Sequence, residues 1–545
     1  MIFSRRNVRS AAVLGSVLFF GAVGQSRCQT VTANVDVQLT QLLSHTIEEN
    51  WPSYNGDYTG RRYSSLTQIN PENVGQLRAQ WVFHSKNAGT REVTPVVVNG
   101  VMYITASNDV YALNSTNGRT LWHYSRPVSS GLVDDAAGHI NRGVALLGTR
   151  LYTETDNAHL VCLDARSGHL LWDVAYADWN KNYGATSAPL IIKDKVLVGT
   201  SGGDSGVRGF VAAYDASTGN FVWRLWTIPG PGEFGASSWP GDAYLHGGGT
   251  TWMPGTYDPE LNTVYWGTGN AAPDYDGSVR PGDDLYTASV LAIDPDTGKL
   301  KWYFQFTPHD LYDYDGVETP VLIDRLYQGK PRKLLVEANR NGFLYVLDRT
   351  NGTFLSATQF AERLNWAKGI DANGRPIVSD LQPTANGTLI CPGDIGGTNW
   401  FSPSYSEFTH QFYLSAFDNC STYFRKPGVF AEGSNYYSTG TTHDPNARGK
   451  KALLSFDLDK NRFTWRYLQE GDSHSWGGVM TTASGLVFFA DDAECFEAVD
   501  AKTGKSLWHF NTGQTLHASP MSYSVGGKQY VAIASGDDLF SFALP

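Results

Sequence analysis

A ten-residue phrase recurs along the 545-residue chain and constrains its fold more than any other feature. The phrase contains an apolar residue, an Asp or Asn, a Gly four positions later and a Trp four positions after the Gly. Clear copies occupy residues 113–122, 163–172, 214–223, 293–302 and 499–508, and degenerate copies occupy residues 257–266, 347–355 and 456–465. The Asx and Gly favour a tight turn, with Gly where φ is positive. The phrase therefore predicts a β-hairpin whose second strand ends in a Trp ring packed against the next repeat.

The spacing of the repeats predicts one ring of sheets rather than several domains. Most consecutive Asx positions lie 36 to 54 residues apart, which is the length of one four-stranded blade. In the longest gap, residues 405–416 supply a further hairpin-like stretch. We therefore predict an all-β protein, an eight-bladed β-propeller with Trp-docking repeats, in which residues 29–545 form a single catalytic domain. Separate β-sandwiches, the alternative, would need linkers, and no stretch has a linker's composition.

The first residues predict export from the cytoplasm. Arg5 and Arg6 precede an apolar run over residues 11–24, which is shorter than the about 20 residues that span a bilayer. We predict a signal peptide over residues 1–28, a periplasmic mature protein and no membrane span; a single membrane anchor is the alternative. The formal net charge of −11 opposes nucleic acid and anionic membrane as partners, because both require a basic face.

An acidic stretch at residues 307–318 does not resemble the packing repeats. Asp313 and Asp315 are separated by one residue, so both carboxylates project to the same side of an extended segment. Two enclosed like charges are costly unless a cation lies between them. Oxygen ligands without neighbouring His or Cys select a hard cation such as Ca²⁺ or a larger ion. A solvated acidic loop is the alternative that spacing alone leaves open.

An ordered series of motifs makes the functional prediction specific. The series comprises NWPSYNGDYTGRRYSSLTQINPENVGQL near the start, followed by GVRGFVAAYD, GGGTTW, GTGNAAP, TPHDLYDYDG and NRNGFLYVLDRTNG. Over residues 50–545 the chain resembles the quinoprotein alcohol dehydrogenases of the methanol and ethanol dehydrogenase type. That resemblance implies a periplasmic, eight-bladed propeller enzyme that uses pyrroloquinoline quinone (PQQ) and one metal ion.

The resemblance also implies a metal site. It assigns metal ligation to Asp204, Asn270 and Asp313, and Asp313 is in addition the implied catalytic residue. Asp204 stands where the family usually has Glu, so one ligand is shortened by a methylene. Asp315 matches the extra carboxylate that marks lanthanide-dependent members, and we therefore expect a lanthanide in preference to calcium.

The remaining residues implied by the resemblance concern PQQ and a crosslink. Trp252 is the expected stacking surface for the PQQ ring, and Arg340 is the expected partner of its quinone oxygens. The other expected cofactor contacts are Glu92, Arg142, Thr186, Ser201, Thr250, Asn399 and Trp476. Calcium-type members carry adjacent cysteines where this chain has Ala136 and Ala137. Cys391 and Cys420 match a family disulfide, whereas Cys162 and Cys495 lie in apolar strand patterns that favour buried thiols.

The predicted function is the oxidation of a small primary alcohol to its aldehyde. Asp313 is expected to act as the general base, and the electrons are expected to pass to a soluble c-type cytochrome. The oligomeric state is left open, with a homodimer among the options. Two alternatives remain at this point: a sugar or polyol dehydrogenase with the same cofactor, and a non-catalytic propeller scaffold of the outer-membrane assembly type.

Overall fold

The recurring phrase folds into the predicted hairpin turn. In the copy at residues 214–223, the Asp215 carboxylate accepts the backbone N–H groups of Ser217 and Thr218, and Gly219 adopts a φ of 74°. The strands Phe210–Asp215 and Phe221–Trp226 flank this turn as an antiparallel pair. An Asx turn thus caps the hairpin, and Gly provides the left-handed residue that completes it.

The computed structural model describes residues 35–85, 91–443 and 449–545. The predicted signal peptide, residues 1–28, lies outside this range. Within it, the regular secondary structure is almost entirely antiparallel strand, so the all-β prediction is confirmed. The short helices are Leu39–Leu42 and Asp134–Ala137, with single 3₁₀ turns at Val74–Gln76, Trp179–Lys181, Gly203–Ser205, Ala236–Ser238, Ala243–His246 and Gly277–Val279. None of the helices in the described part of the chain is both long and apolar enough to cross a membrane.

Eight sheets of four or five strands follow one another in the described residues, and we number them in chain order. Sheets 1 to 4 contain, respectively, Val96–Val98, Val101–Ala106, Asp109–Asn114 and Thr120–Tyr124; Ala145–Leu147, Arg150–Thr155, His159–Asp164 and Leu170–Ala175; Leu190–Ile192, Lys195–Val198, Phe210–Asp215 and Phe221–Trp226; and Thr256–Asp258, Thr263–Gly267, Ser289–Ile293 and Leu300–Gln305. In each, neighbouring strands are consecutive in the chain, as in a meander.

Sheets 5 to 8 continue the pattern, and sheets 7 and 8 each take one strand from the start of the chain. Their strands are, respectively, Val321–Tyr327, Lys330–Ala338, Phe343–Asp348 and Thr353–Gln359; Ser404–Ser406, Gln411–Ala416, Ala452–Asp457 and Arg462–Leu468; Val479–Thr482, Leu486–Ala490, Cys495–Asp500 and Ser506–Asn511; and Met521–Val525, Lys528–Ser535 and Asp538–Ala543. Sheet 6 includes the hairpin predicted at residues 405–416. Sheet 7 gains Tyr63–Ser64 as a parallel fifth strand, and sheet 8 is completed by Arg78–His84.

Two small sheets accompany sheets 5 and 6. In the first, Ala367–Ile370 pairs with Pro376–Val378. In the second, Thr388–Ile390 pairs with Ser421–Arg425, which pairs in turn with Thr439–His443. The predicted disulfide between Cys391 and Cys420 is present beside the second of these sheets, and Cys162 and Cys495 are buried free thiols, as expected. The bridge crosslinks the loop before sheet 6 to the insertion within it.

The Trp of one repeat packs on the turn of the next. Trp122, which ends its phrase in sheet 1, donates its indole N–H to the Ala165 carbonyl at 3.0 Å. A Cβ placed on Gly168 would lie only 2.6 Å from that ring, so the site requires Gly for space as well as for its φ of 73°. The same ring-on-glycine contact joins the pairs Trp81–Gly118, Trp172–Gly219, Trp223–Gly298, Trp302–Gly352 and Trp465–Gly504. These contacts fix each sheet against its neighbour.

Strand direction decides which loops can form a site. Because strands alternate in direction, the connections after the second and fourth strands of a sheet emerge at one end, whereas the Trp-docking turns after the third strand emerge at the other. The segments that break the repeat pattern are all connections of the first kind: residues 199–209, 247–255, 268–288, 306–320 and 339–342. They therefore gather on one end of the ring of sheets.

Candidate active site

The gathered loops enclose a cavity of about 440 Å³. Its wall includes every residue that the sequence predicts for the cofactor and the metal except Glu92. These residues are Arg142, Thr186, Ser201, Asp204, Thr250, Trp252, Asn270, Asp313, Asp315, Arg340, Asn399 and Trp476. Glu92 lies behind this wall, where its carboxylate accepts a hydrogen bond from Arg142 Nη2. The sequence-predicted set is thus brought together by the loops within and between sheets 1 to 7.

Aromatic rings and Arg142 form one side of the cavity. The Arg142 guanidinium carbon lies 4.9 Å from the centre of the Trp252 ring and 4.7 Å from that of Trp400. Arg142 Nη1 donates to the Thr186 carbonyl at 3.0 Å, but its buried Nε has no partner among the described residues. An orphaned cationic donor between two aromatic faces fits a planar, anionic ligand, because the rings offer stacking and the guanidinium offers charge.

At three glycines beside the cavity, close packing leaves no room for a side chain. The Ser201 hydroxyl donates to the Ala136 carbonyl, and a Cβ on Gly184 would lie 2.2 Å from the same oxygen. Gly202 and Gly203 would meet Asn182 and Thr250 in the same way. Glycine at these positions therefore allows the segments beside the cavity to pack closely against one another.

Arg340 and two aspartates form the floor. Arg340 Nη1 contacts Asp315 Oδ2 at 2.6 Å, and Nη2 contacts Asp313 Oδ2 at 3.0 Å. Asp315 is further held by the backbone N–H of Asn270, which donates to its Oδ1 at 2.6 Å. Asp313 keeps 22% of its side chain exposed and adopts a φ of 62°, in the left-handed region that is uncommon for non-Gly residues. The exposed carboxylate is the one available for chemistry.

The environment of these carboxylates favours their protonated forms in the absence of a cation. Burial, opposed by Arg340 and reinforced by Asp315, raises the pKa of Asp313 well above its ordinary value. Burial likewise raises the pKa of Asp315, although Arg340 opposes the shift, and it raises the pKa of Asp310 to about 6. Such a concentration of buried acids is typical of a functional site and would be relieved by a bound cation.

The oxygen atoms of three carboxylates lie close enough to share one ion. Ligand oxygens of Asp204, Asp274 and Asp313 lie within 4.8 Å of one another. Two oxygens on one hard cation are at most about 5 Å apart, since each bond is about 2.3–2.6 Å long. Asn270 adjoins this group through its Nδ2, which donates to Asp204 Oδ1 at 3.1 Å. The donor set is all oxygen and anionic, and it therefore fits a hard metal ion.

Comparison with known proteins identifies the family. The family model described as "PQQ: Glucose/ethanol/alcohol dehydrogenase, beta-propeller domain" matches residues 51–363 and 456–531, which is more than half of the chain.

The chain belongs to this family of PQQ-dependent alcohol dehydrogenases.

Its relatives match over most of their lengths. The quinoprotein alcohol dehydrogenase PedH of Pseudomonas putida is 36% identical over 510 residues, covering 88% of this chain and 84% of that protein. The lanthanide-dependent methanol dehydrogenase of Methylacidiphilum fumariolicum is 36% identical over 519 residues, covering 89% and 84%. A structure of a europium-containing methanol dehydrogenase superposes with a TM-score of 0.86 at 33% identity, covering 91% of this chain and 98% of that one. The propeller fold and the enzymatic, PQQ-dependent alcohol dehydrogenase class are thereby confirmed, and the scaffold alternative is set aside.

Sequence reasoning missed two residues of the site in this PQQ-dependent alcohol dehydrogenase. Asp274 lies four residues after Asn270, within the stretch GTGNAAPDYDG, yet nothing in its spacing distinguishes it from Asp276. In the structure Asp276 instead accepts the backbone N–H groups of Ser278 and Gly428. Trp400, which follows the predicted Asn399, was also missed and shares the aromatic wall.

Proposed function

We propose that this protein oxidises a small primary alcohol to its aldehyde, with PQQ and one metal ion held in the cavity. The observation that carries the proposal is the position of Asp313. Its partly exposed carboxylate lies 3.0 Å from Arg340, among the acids that fit a hard cation, in a cavity of the size typical of cofactor sites. The family membership supports the same reaction class.

The residues that would hold PQQ follow from the walls of the cavity. Trp252 offers the flat face. The buried Nε atoms of Arg142 and Arg340 have no hydrogen-bond partner within the described part of the chain, and they would donate to anionic or carbonyl oxygens of the cofactor. Hydroxyl and amide groups complete the polar edge: Thr186, Ser201, Thr250 and Asn399, with Trp476 beside them. Glu92 orients Arg142 from behind. Bound PQQ supplies a two-electron acceptor, and a bound metal ion supplies a Lewis acid.

Asp313 is the proposed general base for the alcohol hydroxyl. A base must lie within hydrogen-bond reach of the proton that it takes, and Asp313 has its free carboxylate face towards the cavity. Arg340 holds Asp313 and Asp315 with one guanidinium, which fixes the orientation of the base. Trp252 and Trp400 line the same cavity and give it apolar surface.

A lanthanide is the favoured ion, with calcium as the alternative. The acids at the site outnumber the nearby cations, and this excess suits a trivalent ion better than a divalent one. Relatives named as lanthanide-dependent methanol dehydrogenases support the same choice.

We further propose a cellular location for the protein and an acceptor for the electrons taken from the alcohol. The predicted signal peptide supports a periplasmic location, and the formal charge of −11 suits a basic redox partner, for which a soluble c-type cytochrome is the candidate.

We also infer that the eight successive sheets are eight blades of one propeller. Trp–glycine contacts join several neighbours, and Arg78–His84 completes the last sheet by pairing with Asp538–Ala543.

An alcohol panel tests the proposal directly. The full chain, loaded with PQQ and either La³⁺ or Ca²⁺, is assayed for dye-linked turnover of short primary alcohols, longer primary alcohols, glucose and polyols. The proposal expects primary alcohols to give the highest kcat/KM, with La³⁺ more effective than Ca²⁺. Preferential turnover of glucose or polyols would overturn it in favour of the sugar dehydrogenase alternative.

A further inference from the structure

Asp274 occupies an unusual place for a carboxylate. Its side chain is 1% exposed, and neither of its oxygens has a hydrogen-bond partner among the described residues. Leaving a buried charged group without a partner is strongly unfavourable. Yet the residue faces Asp204 and Asp313, two further acids whose oxygens lie within 4.8 Å of its own. A bound cation would neutralise the charge of these carboxylates and supply the partner that Asp274 lacks.

The nearest cation of the chain does not meet this need. Arg280 is fully buried, and its Nη1 lies 2.5 Å from Asp284 Oδ2, so its charge is already matched. Its other nitrogens donate to the backbone carbonyls of Pro273, Asp274 and Asp310. Arg280 thus fixes the backbone that carries Asp274 but makes no hydrogen bond to its carboxylate. Arg340, the other guanidinium at the site, donates to Asp313 and Asp315 instead.

A surface segment holds the two carboxylate-bearing loops in register. Within residues 428–437, the backbone N–H of Tyr436 donates to the Asp204 carbonyl, and the Tyr437 carbonyl accepts the N–H of Tyr275, the residue after Asp274. The Asn435 amide oxygen accepts the Ser205 hydroxyl at 3.2 Å. The positions of Asp204 and Asp274 are therefore set by independent contacts rather than by their mutual repulsion.

We propose that Asp274 is a direct carboxylate ligand of the metal ion, acting with Asp204 and Asp313, while Arg340 shares the charge of Asp315. This inference rests on the proposed function, because it assigns a ligand to the same ion. The four carboxylates and Arg340 together carry a formal charge of −3, which one trivalent ion neutralises and one divalent ion does not. Asp274 thereby also contributes to the preference for a lanthanide.

Europium luminescence tests the ligand assignment without measuring activity. Metal-depleted, PQQ-loaded full chain is titrated with Eu³⁺, and luminescence lifetimes in H₂O and D₂O give the number of water molecules on the bound ion. For Asp274→Asn we expect Kd to rise by at least about tenfold, because a neutral amide binds a hard cation more weakly than a carboxylate, and the bound ion to gain about one water, because an amide offers one ligand oxygen where a carboxylate can offer two. Asp276→Asn is the matched control two residues away, and it should leave both quantities unchanged.

The same titration separates the possible failures. If wild type binds Eu³⁺ and oxidises primary alcohols, but Asp274→Asn keeps the wild-type Kd and hydration number, the Asp274 assignment is wrong and the proposed function stands. If wild type binds no Eu³⁺, the lanthanide site and the Asp274 assignment both fail. Folding of the variant is checked by thermal unfolding of the metal-depleted protein, where removal of an unpartnered buried acid should raise Tm.

Discussion

The aspartates of the hairpin turns and the aspartates of the cavity are the same residue type in opposite physical states. Asp215, in a turn, accepts two backbone N–H groups and the Thr218 hydroxyl, and these hydrogen bonds hold its pKa below the ordinary value. Asp164 and Asp348 do the same in their own turns, where hydrogen bonds outweigh the opposing effect of burial on the pKa. In the cavity, burial instead raises the pKa of Asp274 and Asp313.

The difference between the two groups lies in what satisfies each carboxylate. A turn aspartate is satisfied by backbone two or three residues away, so its partners come with the local sequence. In the cavity, Asp313 and Asp315 share Arg340, whereas Asp274 faces acids from distant segments and has no hydrogen-bond partner among the described residues. The hydrogen bonds of the turn aspartates stabilise the fold. The cavity carboxylates repel one another, and a bound cation would reduce that repulsion.

The largest expected effect separates the two groups by activity. Asp313→Asn should lower kcat by about 10²- to 10⁴-fold, because the amide cannot accept the hydroxyl proton. Asp215→Asn keeps an acceptor oxygen in its turn and should leave kcat unchanged. Dye-linked turnover of a primary alcohol by both variants, loaded with PQQ and metal, checks the contrast. If Asp313→Asn retains wild-type turnover, Asp313 is not the general base.

A second variant sharpens the contrast within the cavity. Asp315→Ala removes one negative charge beside Arg340, and a trivalent ion should lose more from this change than a divalent one. We expect activity supported by La³⁺ or Ce³⁺ to fall at least about tenfold further than activity supported by Ca²⁺. Parallel metal titrations of the two proteins measure the ratio, and equal losses with both ions would contradict the lanthanide preference.

On the turn side, the strongest test concerns the glycine that follows the aspartate. Gly168→Ala would place a Cβ 2.6 Å from the Trp122 ring at a φ of 73°, so we expect a loss of about 2 to 4 kcal/mol in unfolding free energy. Gly526→Ala is the matched control: its φ is 59° but no atom lies within 4 Å of the new Cβ. Chemical denaturation of both should show the smaller loss in the control. Equal losses would mean that the Trp contact contributes nothing.

The smallest effect is the contribution of a turn carboxylate to stability. Asp215→Ala should lower the unfolding free energy by about 1 kcal/mol at neutral pH, because it removes the turn hydrogen bonds. Since the pKa of Asp215 is lower in the folded state, its contribution is complete above the unfolded pKa of about 3.9 and is lost as the pH falls through the folded value. Denaturation at several pH values should show the wild-type advantage shrinking below about pH 4; a constant advantage would exclude the charge as its source.

The turn residues are easier to predict from the sequence than the cavity residues, because the partners of a turn residue lie close to it in the chain. The turns repeat, and the Asx–Gly–Trp phrase carries its own local geometry, so the hairpins and the Trp122–Gly168 type of contact could be predicted from residues alone. The cavity residues do not repeat, and most of them are implied only by the resemblance to a known family. Asp274 escaped even that, because its role depends on which distant acids it faces after folding. No local pattern distinguishes it from Asp276, which caps a turn two residues later.

The pairing of Arg78–His84 with Asp538–Ala543 has a consequence for the order of events during biosynthesis. His84 and Asp538, joined at 2.7 Å in this pair, are separated by 454 residues. A contact over such a chain distance carries a large loop-closure cost and must await synthesis of nearly all the residues between them. Until that strand docks, sheet 8 lacks its outer strand. We therefore expect sheet 8 to be completed only in a chain that is already almost fully translated.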